Sequence, residues 1–238
     1  MKYAVQRLAN RLGYRITRLY GPDLSPGLKE AIVAARPYTT TQTDAIVALH
    51  DAVQHVVRAG VPGALVECGV WKGGSLLVIG RTLVELGVTD RDLYGFDTFS
   101  GMPPASEKDV RYDGTSGVDA SAMNLDVAPS AERVRDLVLT SGIAAERLHL
   151  VSGRVEQTIP DSAPEQIALL RLDTDWYEST RHELEHLYPR LSPGGILIID
   201  DYGHWEGARQ ATDEYLGQLE RQPFLARVDY TVRIAVKP

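Results

Sequence analysis

The sequence contains a single cysteine, Cys68, among its 238 residues. One thiol excludes a disulfide within the chain and a zinc site built from several cysteines, and it is typical of a reducing compartment. Long apolar runs are also lacking, because no stretch reaches the roughly 18 apolar residues of a membrane span. The first residues lack the apolar core and the cleavage site of a secretion signal. We therefore expect a cytoplasmic protein that does not enter a membrane.

Positive charge is scarce as well. The chain has 25 lysines and arginines against 32 aspartates and glutamates, which gives a formal net charge of −7. This balance argues against a general binder of nucleic acid or of anionic membranes, both of which attract basic surfaces. Apolar residues make up 44% and charged residues 24% of the chain, which is ordinary for a folded globular protein and argues against disorder.

The N-terminal region differs from the rest in charge and pattern. It has no acid before Gly21, and its basic residues are Lys2, Arg7, Arg11, Arg15 and Arg18. Apolar residues recur there at helical spacing, namely Val5, Leu8, Leu12, Ile16 and Leu19. The pattern predicts an amphipathic helix that packs on the body or on a second subunit, so we expect a homodimer or a higher homo-oligomer. A membrane-surface or targeting helix is the alternative.

From residue 61 onwards, short apolar runs alternate with helical patterns, after a predicted helix whose apolar residues run from Ile46 to Val57. Strands are predicted at Ala64–Val70, Leu93–Phe96, Leu148–Val151, Ile167–Leu172 and Ile196–Ile199, with a final antiparallel pair at Phe224–Val228 and Val232–Val236. Helices are predicted at Ser75–Leu86, Ala131–Thr140, Glu178–Leu191 and Glu206–Glu220. Gly21-Pro22 and Pro26-Gly27 indicate breaks. This order predicts an α/β fold with a mostly parallel, doubly wound sheet covered on both faces. Ligands of such sheets bind beyond the carboxyl ends of the strands.

A glycine-rich turn follows the first strand, in the run Glu67-Cys-Gly-Val-Trp-Lys-Gly-Gly-Ser75. Glycines between a strand and a helix allow the backbone to approach a ligand closely. The run is not G-x-G-x-x-G, and its lysine precedes the glycine pair, so a pyrophosphate site is disfavoured. The motif E-x-G-x-x-x-G suits a ligand with a cationic amino-acid end, and a tight turn that serves only packing is the alternative.

Asp97 lies at the tip of the second strand. An acid in this position can accept hydrogen bonds from the hydroxyls of a ribose. Asp is also a common turn residue. Together with the glycine-rich turn, it points to an adenosine-bearing ligand.

Three aspartates follow two further strands. Asp173 ends the strand that contains Leu169 to Leu172, and the pair Asp200-Asp201 follows Ile196–Ile199. If these strands are neighbours, the carboxylates converge, repel one another and favour a hard divalent cation such as Mg²⁺, Ca²⁺ or Mn²⁺. Capping of the following helices is the alternative.

Other polar and aromatic residues lie close to these acids. His204 can act as a general base or orient a substrate, although a histidine without a catalytic role is an equally good interpretation. Asp175 is interpreted as an acid at a helix start. The aromatic neighbours are either walls of an acceptor pocket or plain packing residues, and they are Trp176, Tyr177, Tyr202 and Trp205.

Four segments together resemble the macrocin O-methyltransferase family, and the resemblance extends from about Tyr38 to Tyr215. The segments are Leu65–Ser75, Gly95–Pro103, Leu170–Thr180 and Gly194–Gly203. Thr174 stands where we expect Gly or Cys in the family, which leaves the metal residues intact and alters the pocket rim. The N-terminal helix and residues 104–129 match less well.

The resemblance implies a class I methyltransferase sheet of about seven strands with the last one antiparallel, in a domain formed by residues 61–238. It implies an N-terminal helical lid segment, residues 1–60, and a second lid after the second strand. It assigns S-adenosylmethionine to the motif residues Glu67, Gly69, Gly73 and Ser75 and to Asp97. It assigns Mg²⁺ to Asp173, Asp200 and Asp201.

The function implied is methylation of a hydroxyl on a deoxysugar of a glycosylated natural product, as in antibiotic biosynthesis. Asp173 or His204 would take the proton of that hydroxyl. A catechol-type O-methyltransferase with a phenolic acceptor is the main alternative. A nucleotide-dependent dehydrogenase is disfavoured because G-x-G-x-x-G is missing, and a sugar-binding module is disfavoured because it needs no metal beside a cofactor.

Overall fold

The computed structural model describes residues 20–118 and 129–238, together with Arg7, Asn10, Arg11 and Leu12. The predicted N-terminal amphipathic helix therefore lies almost entirely outside the described residues. So do residues 119–128, the last part of the long segment that follows the second strand. No described helix has both the length and the apolar composition needed to cross a membrane.

Seven strands form a single sheet in the order β3-β2-β1-β4-β5-β7-β6. They are β1 (Ala64–Cys68), β2 (Leu93–Asp97), β3 (Leu148–Ser152), β4 (Ile167–Leu172), β5 (Leu191–Ile199), β6 (Ala226–Arg227) and β7 (Arg233–Val236). β1 to β5 pair in parallel, and β7 is antiparallel to both β5 and β6. The predicted α/β class and the doubly wound sheet with one reversed strand are confirmed.

Helices cover both faces of the sheet. They are α1 (Pro26–Ala35), α2 (Thr43–Arg58), α3 (Gly74–Glu85), α4 (Ala131–Leu139), α5 (Val155–Thr158), α6 (Tyr177–Leu187) and α7 (Glu206–Gly217). α1 to α4 pack together on one face, and α5 to α7 pack together on the other. Successive strand residues alternate between the two layers, since Leu65 and Ile196 join one core while Val66 and Leu197 join the other.

Several predicted boundaries were wrong; β5 begins at Leu191 rather than Ile196, and β1 ends at Cys68 rather than Val70. Pro26-Gly27 was expected to break the chain, but Pro26 is the first residue of α1, because the Ser25 hydroxyl accepts a hydrogen bond from the Leu28 amide at 3.1 Å and caps the helix. α6 ends at Leu187 rather than Leu191, where a 3₁₀ turn containing Pro189 follows. The strand expected from Phe224 begins only at Ala226, and Phe224 is 84% exposed.

The strand order reverses between β1 and β4, because β2 and β3 lie on one side of β1 while β4 and β5 lie on the other. From the carboxyl end of β1 the chain continues to β2 on one side of the sheet, and from the carboxyl end of β4 it continues to β5 on the other side. A crevice therefore opens between these two strand ends. The glycine-rich turn follows β1 and Asp173 follows β4, so the predicted site residues meet at this crevice.

Candidate active site

A cavity of about 490 Å³ lies at the carboxyl ends of the central strands. This volume is in the range of small-molecule sites in proteins. Its walls include residues from the glycine-rich turn, from the ends of β2, β4 and β5, and from the segment before α2. The predicted site residues among its lining are Gly69, Ser75, Asp97, Asp173, Asp200, Asp201 and His204.

Gly69 allows a close approach of two backbone segments at the floor of the cavity. Its φ of 83° is in the left-handed region, and a side chain there would overlap the carbonyl oxygen of Asp173. The Gly69 amide donates to the Phe96 carbonyl at 2.8 Å. Glycine is therefore required here to bring the ends of β1, β2 and β4 together. Gly73, in contrast, caps α3 and is not part of the cavity wall.

Asp97 organises the turn in addition to lining the cavity. One carboxylate oxygen accepts hydrogen bonds from the amides of Val70 and Trp71, each at 2.8 Å. The other accepts from the Phe99 amide at 2.7 Å. A carboxylate offers about four acceptor positions, so Asp97 retains capacity for ligand hydroxyls.

Glu67 lies behind the cavity wall rather than in it. Its side chain is buried, and one oxygen pairs with the Arg171 guanidinium at 2.5 Å. The other oxygen, Oε2, is buried and has no hydrogen-bond partner among the described residues. Burial raises the pKa of Glu67 to about 7, because the loss of hydration outweighs the attraction of Arg171. A direct contact between Glu67 and a cofactor stays a prediction.

The three predicted metal residues do converge. Asp173, Asp200 and Asp201 each place one carboxylate oxygen within 4.8 Å of the others. Burial and the neighbouring carboxylates raise the pKa values of Asp173 and Asp201 well above their usual range. The aspartates are not the N-cap residues of the following helices, which are Trp176 for α6 and Trp205 for α7, and the Asp201 carboxylate accepts from the Asp175 amide instead.

Arg171 is the main residue of the site that the sequence interpretation missed. It is 1% exposed, and its guanidinium contacts Asp173 and Asp200 at 2.6 Å each, besides Glu67. Its Nη2 also donates to the hydroxyl of Thr41 at 3.2 Å. A fully buried arginine needs such partners, so its position within the apolar run of β4 was the signal available.

Asp175 was also undervalued as a helix-start acid. Its φ of 66° is unusual for an aspartate, and its side chain lines the cavity. One oxygen accepts a hydrogen bond from the Trp205 indole at 2.6 Å, while the Asp175 amide donates to Asp201 at 3.1 Å. Burial raises the pKa of Asp175 to about 6. The strained backbone and this pKa are typical of functional positions.

His204 lines the cavity near Asp201. Its Nδ1 lies 3.1 Å from the Tyr230 hydroxyl, and burial together with the nearby Arg111 lowers its pKa. The imidazole is therefore neutral near pH 7, which is the form that can accept or relay a proton.

The four aromatic residues expected as possible pocket walls are packing residues instead. None of them lines the cavity, which Tyr38, Trp71, Phe96 and Tyr230 line in their place. Trp176 and Trp205 are buried and pack edge to face with ring centroids 4.9 Å apart. The Tyr202 hydroxyl donates to Asp213 at 2.7 Å, outside the cavity.

The described part of the loop after β2, residues 98–118, is anchored to the body. The buried Asp109 accepts hydrogen bonds from the amides of Tyr177, at the start of α6, and of Ser106, each at 2.7 Å. Single bridges join Val110 to Ser116 and Arg111 to Trp205. Residues 38–42, before α2, also line the cavity. A lid function for the two segments stays a prediction.

Comparison with known proteins identifies the family. The sequence profile of the macrocin-O-methyltransferase (TylF) family matches residues 33–234. The chain belongs to this family. It is accordingly an O-methyltransferase of the S-adenosylmethionine-dependent class.

Two curated relatives from Streptomyces show how broad the similarity is. One relative, from Streptomyces olivaceus, is 8-demethyl-8-(2,3-dimethoxy-alpha-L-rhamnosyl)-tetracenomycin-C 4'-O-methyltransferase, and the chain is 33% identical to it over 216 residues. That match covers 88% of this chain and 79% of the relative. The chain is 34% identical over 184 residues to demethyldecarbamoylnovobiocin O-methyltransferase of Streptomyces niveus, covering 76% and 68% of the two chains.

Solved structures agree with this placement. The O-methyltransferase NovP superposes with a TM-score of 0.75 at 30% identity, covering 84% of this chain and 82% of NovP. CalS11, a calicheamicin methyltransferase, superposes with a TM-score of 0.65 at 23% identity, covering 99% of this chain and 91% of CalS11. The second likeness supports the fold alone.

Proposed function

We propose that this protein transfers a methyl group from S-adenosylmethionine to a hydroxyl of a sugar on a glycosylated natural product, with the help of Mg²⁺. The observation that carries the proposal is the convergence of Asp173, Asp200 and Asp201 beside a glycine-rich turn, in one cavity. The relative from Streptomyces olivaceus supports a sugar acceptor, since its name describes a 4'-O-methyltransferase that acts on a rhamnosyl compound.

The chemistry of the cavity fits S-adenosylmethionine, which supplies an electrophilic methyl group on a positively charged sulfur. Gly69, whose close contact with the Asp173 backbone shapes the turn, lines the cavity, and the unpartnered Oε2 of Glu67 lies behind the same turn. The turn would hold the methionine end, with its ammonium group attracted to the negative charge there. Asp97, with its remaining acceptor capacity, would hold the ribose, and Ser75 lies in the wall between them.

The chemistry of the carboxylates fits Mg²⁺. Three oxygen ligands close together are what a hard divalent cation prefers, and the raised pKa values of Asp173 and Asp201 show that their charges are poorly compensated by the protein itself. Arg171 offsets only part of the charge, because it shares one guanidinium between three carboxylates. When bound, the cation would supply Lewis acidity that lowers the pKa of a nearby hydroxyl.

The remaining requirement is a group that takes the proton of the acceptor hydroxyl when its oxygen bonds to the methyl carbon and the carbon–sulfur bond breaks. Asp175 is the best placed, since its carboxylate lines the cavity and is held by the Trp205 indole rather than by a cation. Asp173 is less well placed, because one of its carboxylate oxygens already pairs with the Arg171 guanidinium. His204 remains a second candidate, and its hydrogen bond to Tyr230 fixes the orientation of its ring.

The metal proposal is tested with Asp201→Asn, which is a cleaner change than Asp200→Asn because Asp200 also pairs with Arg171. We expect turnover to fall by about two orders of magnitude or more, since metal activation supplies several kcal/mol. The affinity for S-adenosylhomocysteine in calorimetry should change far less, because the Asp201 carboxylate bonds to the segment after β4 and not to the glycine-rich turn. Asp161→Asn, at an exposed loop position, is the matched control and should leave both quantities unchanged.

Chelation gives an independent test of the same proposal. Excess EDTA should abolish most of the turnover of the unmodified protein, and added Mg²⁺ should restore it. Full turnover in EDTA would show that the aspartates are structural. The acceptor class is tested by incubation with S-adenosylmethionine and matched panels of glycosides and catechols, with mass spectrometry for methyl gain. Methylation of catechols but not of glycosides would favour the catechol-type alternative.

The cellular setting is part of the proposal. We expect a cytoplasmic enzyme, in agreement with the single buried cysteine. We also expect a homo-oligomer, because the apolar stripe of the N-terminal segment predicts a docking surface.

A further inference from the structure

An aromatic cluster lies at the end of the cavity that contains Asp200 and Asp201, and its two tyrosines were not among the residues expected to recognise a ligand. Tyr230, in the turn between β6 and β7, and His204 line the cavity together with Asp200 and Asp201. Tyr112, from the loop after β2, packs edge-on against both rings, with centroid distances of 5.6 Å to His204 and 5.9 Å to Tyr230. Tyr112 and Tyr230 are 62% and 47% exposed.

Backbone contacts hold this cluster in place from three directions. The Tyr112 amide donates to the His204 carbonyl at 3.0 Å, and the Gly203 amide donates to the Thr231 carbonyl at 2.9 Å. A side chain at Gly203 would overlap the carbonyl oxygen of Tyr230, so only glycine allows the turn to approach this closely. Asp229 accepts hydrogen bonds from the Thr231 and Val232 amides, each at 2.8 Å, which stiffens the turn. The rings are therefore ordered although much of their surface is exposed.

The cluster combines apolar ring surface with polar groups at its edge. The Tyr230 hydroxyl and the His204 imidazole lie 3.1 Å apart, and the Asp200 and Asp201 carboxylates share the same end of the cavity. A sugar ring has a matching division, since its C–H bonds carry partial positive charge that suits the negative face of an aromatic ring while its hydroxyls hydrogen-bond at the edge. An anionic ligand is disfavoured by the carboxylates.

We propose that Tyr230 and His204, which line the cavity, form an acceptor subsite that binds the C–H face of the sugar ring, with Tyr112 packed edge-on against both rings from outside the lining. This inference rests on the proposed function and adds the residues that select the acceptor. Stacking there positions the ring relative to the carboxylates, so the cluster determines which hydroxyl is presented to the methyl donor.

The test compares Tyr230→Ala, Tyr112→Ala and Tyr230→Phe with the unmodified protein, on a glycoside that the latter methylates. We expect the acceptor KM to rise by about tenfold for Tyr230→Ala, which corresponds to about 1.4 kcal/mol, because this change removes a ring that lines the cavity. Tyr112→Ala removes a ring that only packs against Tyr230 and His204, so KM should rise by less. Tyr230→Phe keeps the ring and should lose much less. Phe224→Ala removes another exposed aromatic ring just before β6, outside the cavity, and should leave KM unchanged.

Two further readouts separate acceptor recognition from a structural role. The affinity for S-adenosylhomocysteine should be the same in all variants, and saturation-transfer NMR should show weaker acceptor binding in the alanine variants. An unchanged acceptor KM in both alanine variants would overturn the subsite while leaving the proposed function intact. A loss of cofactor affinity as large as the loss of acceptor binding would also overturn it, because the change would then be structural. If the unmodified protein methylates phenols but no glycoside, both proposals fail.

Discussion

Arg171 gives the sharpest test of how the buried charges of this site are balanced. Its side chain is 2% exposed and contacts Glu67, Asp173 and Asp200 at 2.5 to 2.6 Å. Substitution of Arg171 by methionine keeps most of the volume but leaves three carboxylates without their shared cation. Removal of one partner of a buried ion pair typically destabilises a protein by about 3–5 kcal/mol, because the remaining charge is buried and uncompensated. We expect Arg171→Met to lower the free energy of unfolding by about this amount when EDTA is present.

The origin of the loss can be tested by removing one of the orphaned charges. In the double variant Arg171→Met/Glu67→Gln the neutral amide replaces the most deeply buried carboxylate, and we expect about 1–2 kcal/mol of the loss to be recovered. Arg171→Lys keeps the charge but has no planar fork to bridge three carboxylates, so its stability should lie between those of Arg171→Met and the unmodified protein. Equilibrium urea denaturation followed by far-UV circular dichroism measures all of these values.

A matched control is available at the other end of the sheet. Arg147 pairs with Asp92 at 3.3 Å, and both side chains are more than a third exposed. Because exposed ion pairs contribute about 1 kcal/mol or less, Arg147→Met should change stability only slightly. If Arg171→Met is no more destabilising than Arg147→Met, or if the double variant is no more stable than Arg171→Met, the buried charge balance described here is wrong.

Three further predictions concern the cofactor, the pH dependence and the assembly. Calorimetry should show binding of S-adenosylhomocysteine but not of NAD, and the reverse result would contradict the interpretation of the glycine-rich turn. Burial raises the pKa of Glu67 from 4.5 to about 7. Between these two pH values the folded protein keeps a proton on Glu67 that the unfolded chain has already released. The contribution of Glu67 to stability therefore falls as the pH rises from 4.5 to about 7. Glu67→Gln should therefore flatten the decline of Tm between these pH values, and an unaltered profile would count against the raised pKa. Light scattering at micromolar concentration should give the mass of a dimer or larger assembly, whereas a monomer would refute the homo-oligomer.

The sheet could be predicted from the sequence because its signals are local. Each strand is an apolar run bounded by turn residues, and each helix repeats apolar residues at its own period. The same holds for Gly69 and the three aspartates proposed as metal ligands, which directly follow strand ends. Two of the boundaries that were wrong, at Pro26 and at Pro189, are places where a proline begins or ends a helix depending on its neighbours.

The residues that were missed depend on contacts that the chain order does not reveal. Arg171 stands in an apolar run, which indicated a buried partner, but its pairing with Glu67 requires the register in which the two residues are opposite each other on β4 and β1. The aromatic cluster joins the loop after β2 to the turn after β6, and neither segment has a periodic pattern. The aromatic residues nearest in sequence to the carboxylates, Trp176 and Trp205, were instead needed to fill the space beneath them.

The adjacent acids Asp200 and Asp201 show why a pair of carboxylates is useful at this strand end. Asp200 turns toward β4, where Arg171 holds one of its oxygens at 2.6 Å. Asp201 turns toward the segment after β4, where one of its oxygens accepts from the Asp175 amide at 3.1 Å. The two side chains are thus oriented by different partners, one by a cation and one by the backbone that also positions Asp175. A substitution at Asp200 therefore perturbs the buried charge balance. Asp201→Asn keeps a carbonyl oxygen that can accept from the Asp175 amide, whereas Asp201→Ala removes this acceptor and perturbs the segment that carries the proposed proton acceptor. The same loss of activity in an Asp200 variant and in Asp201→Ala would thus have different physical causes.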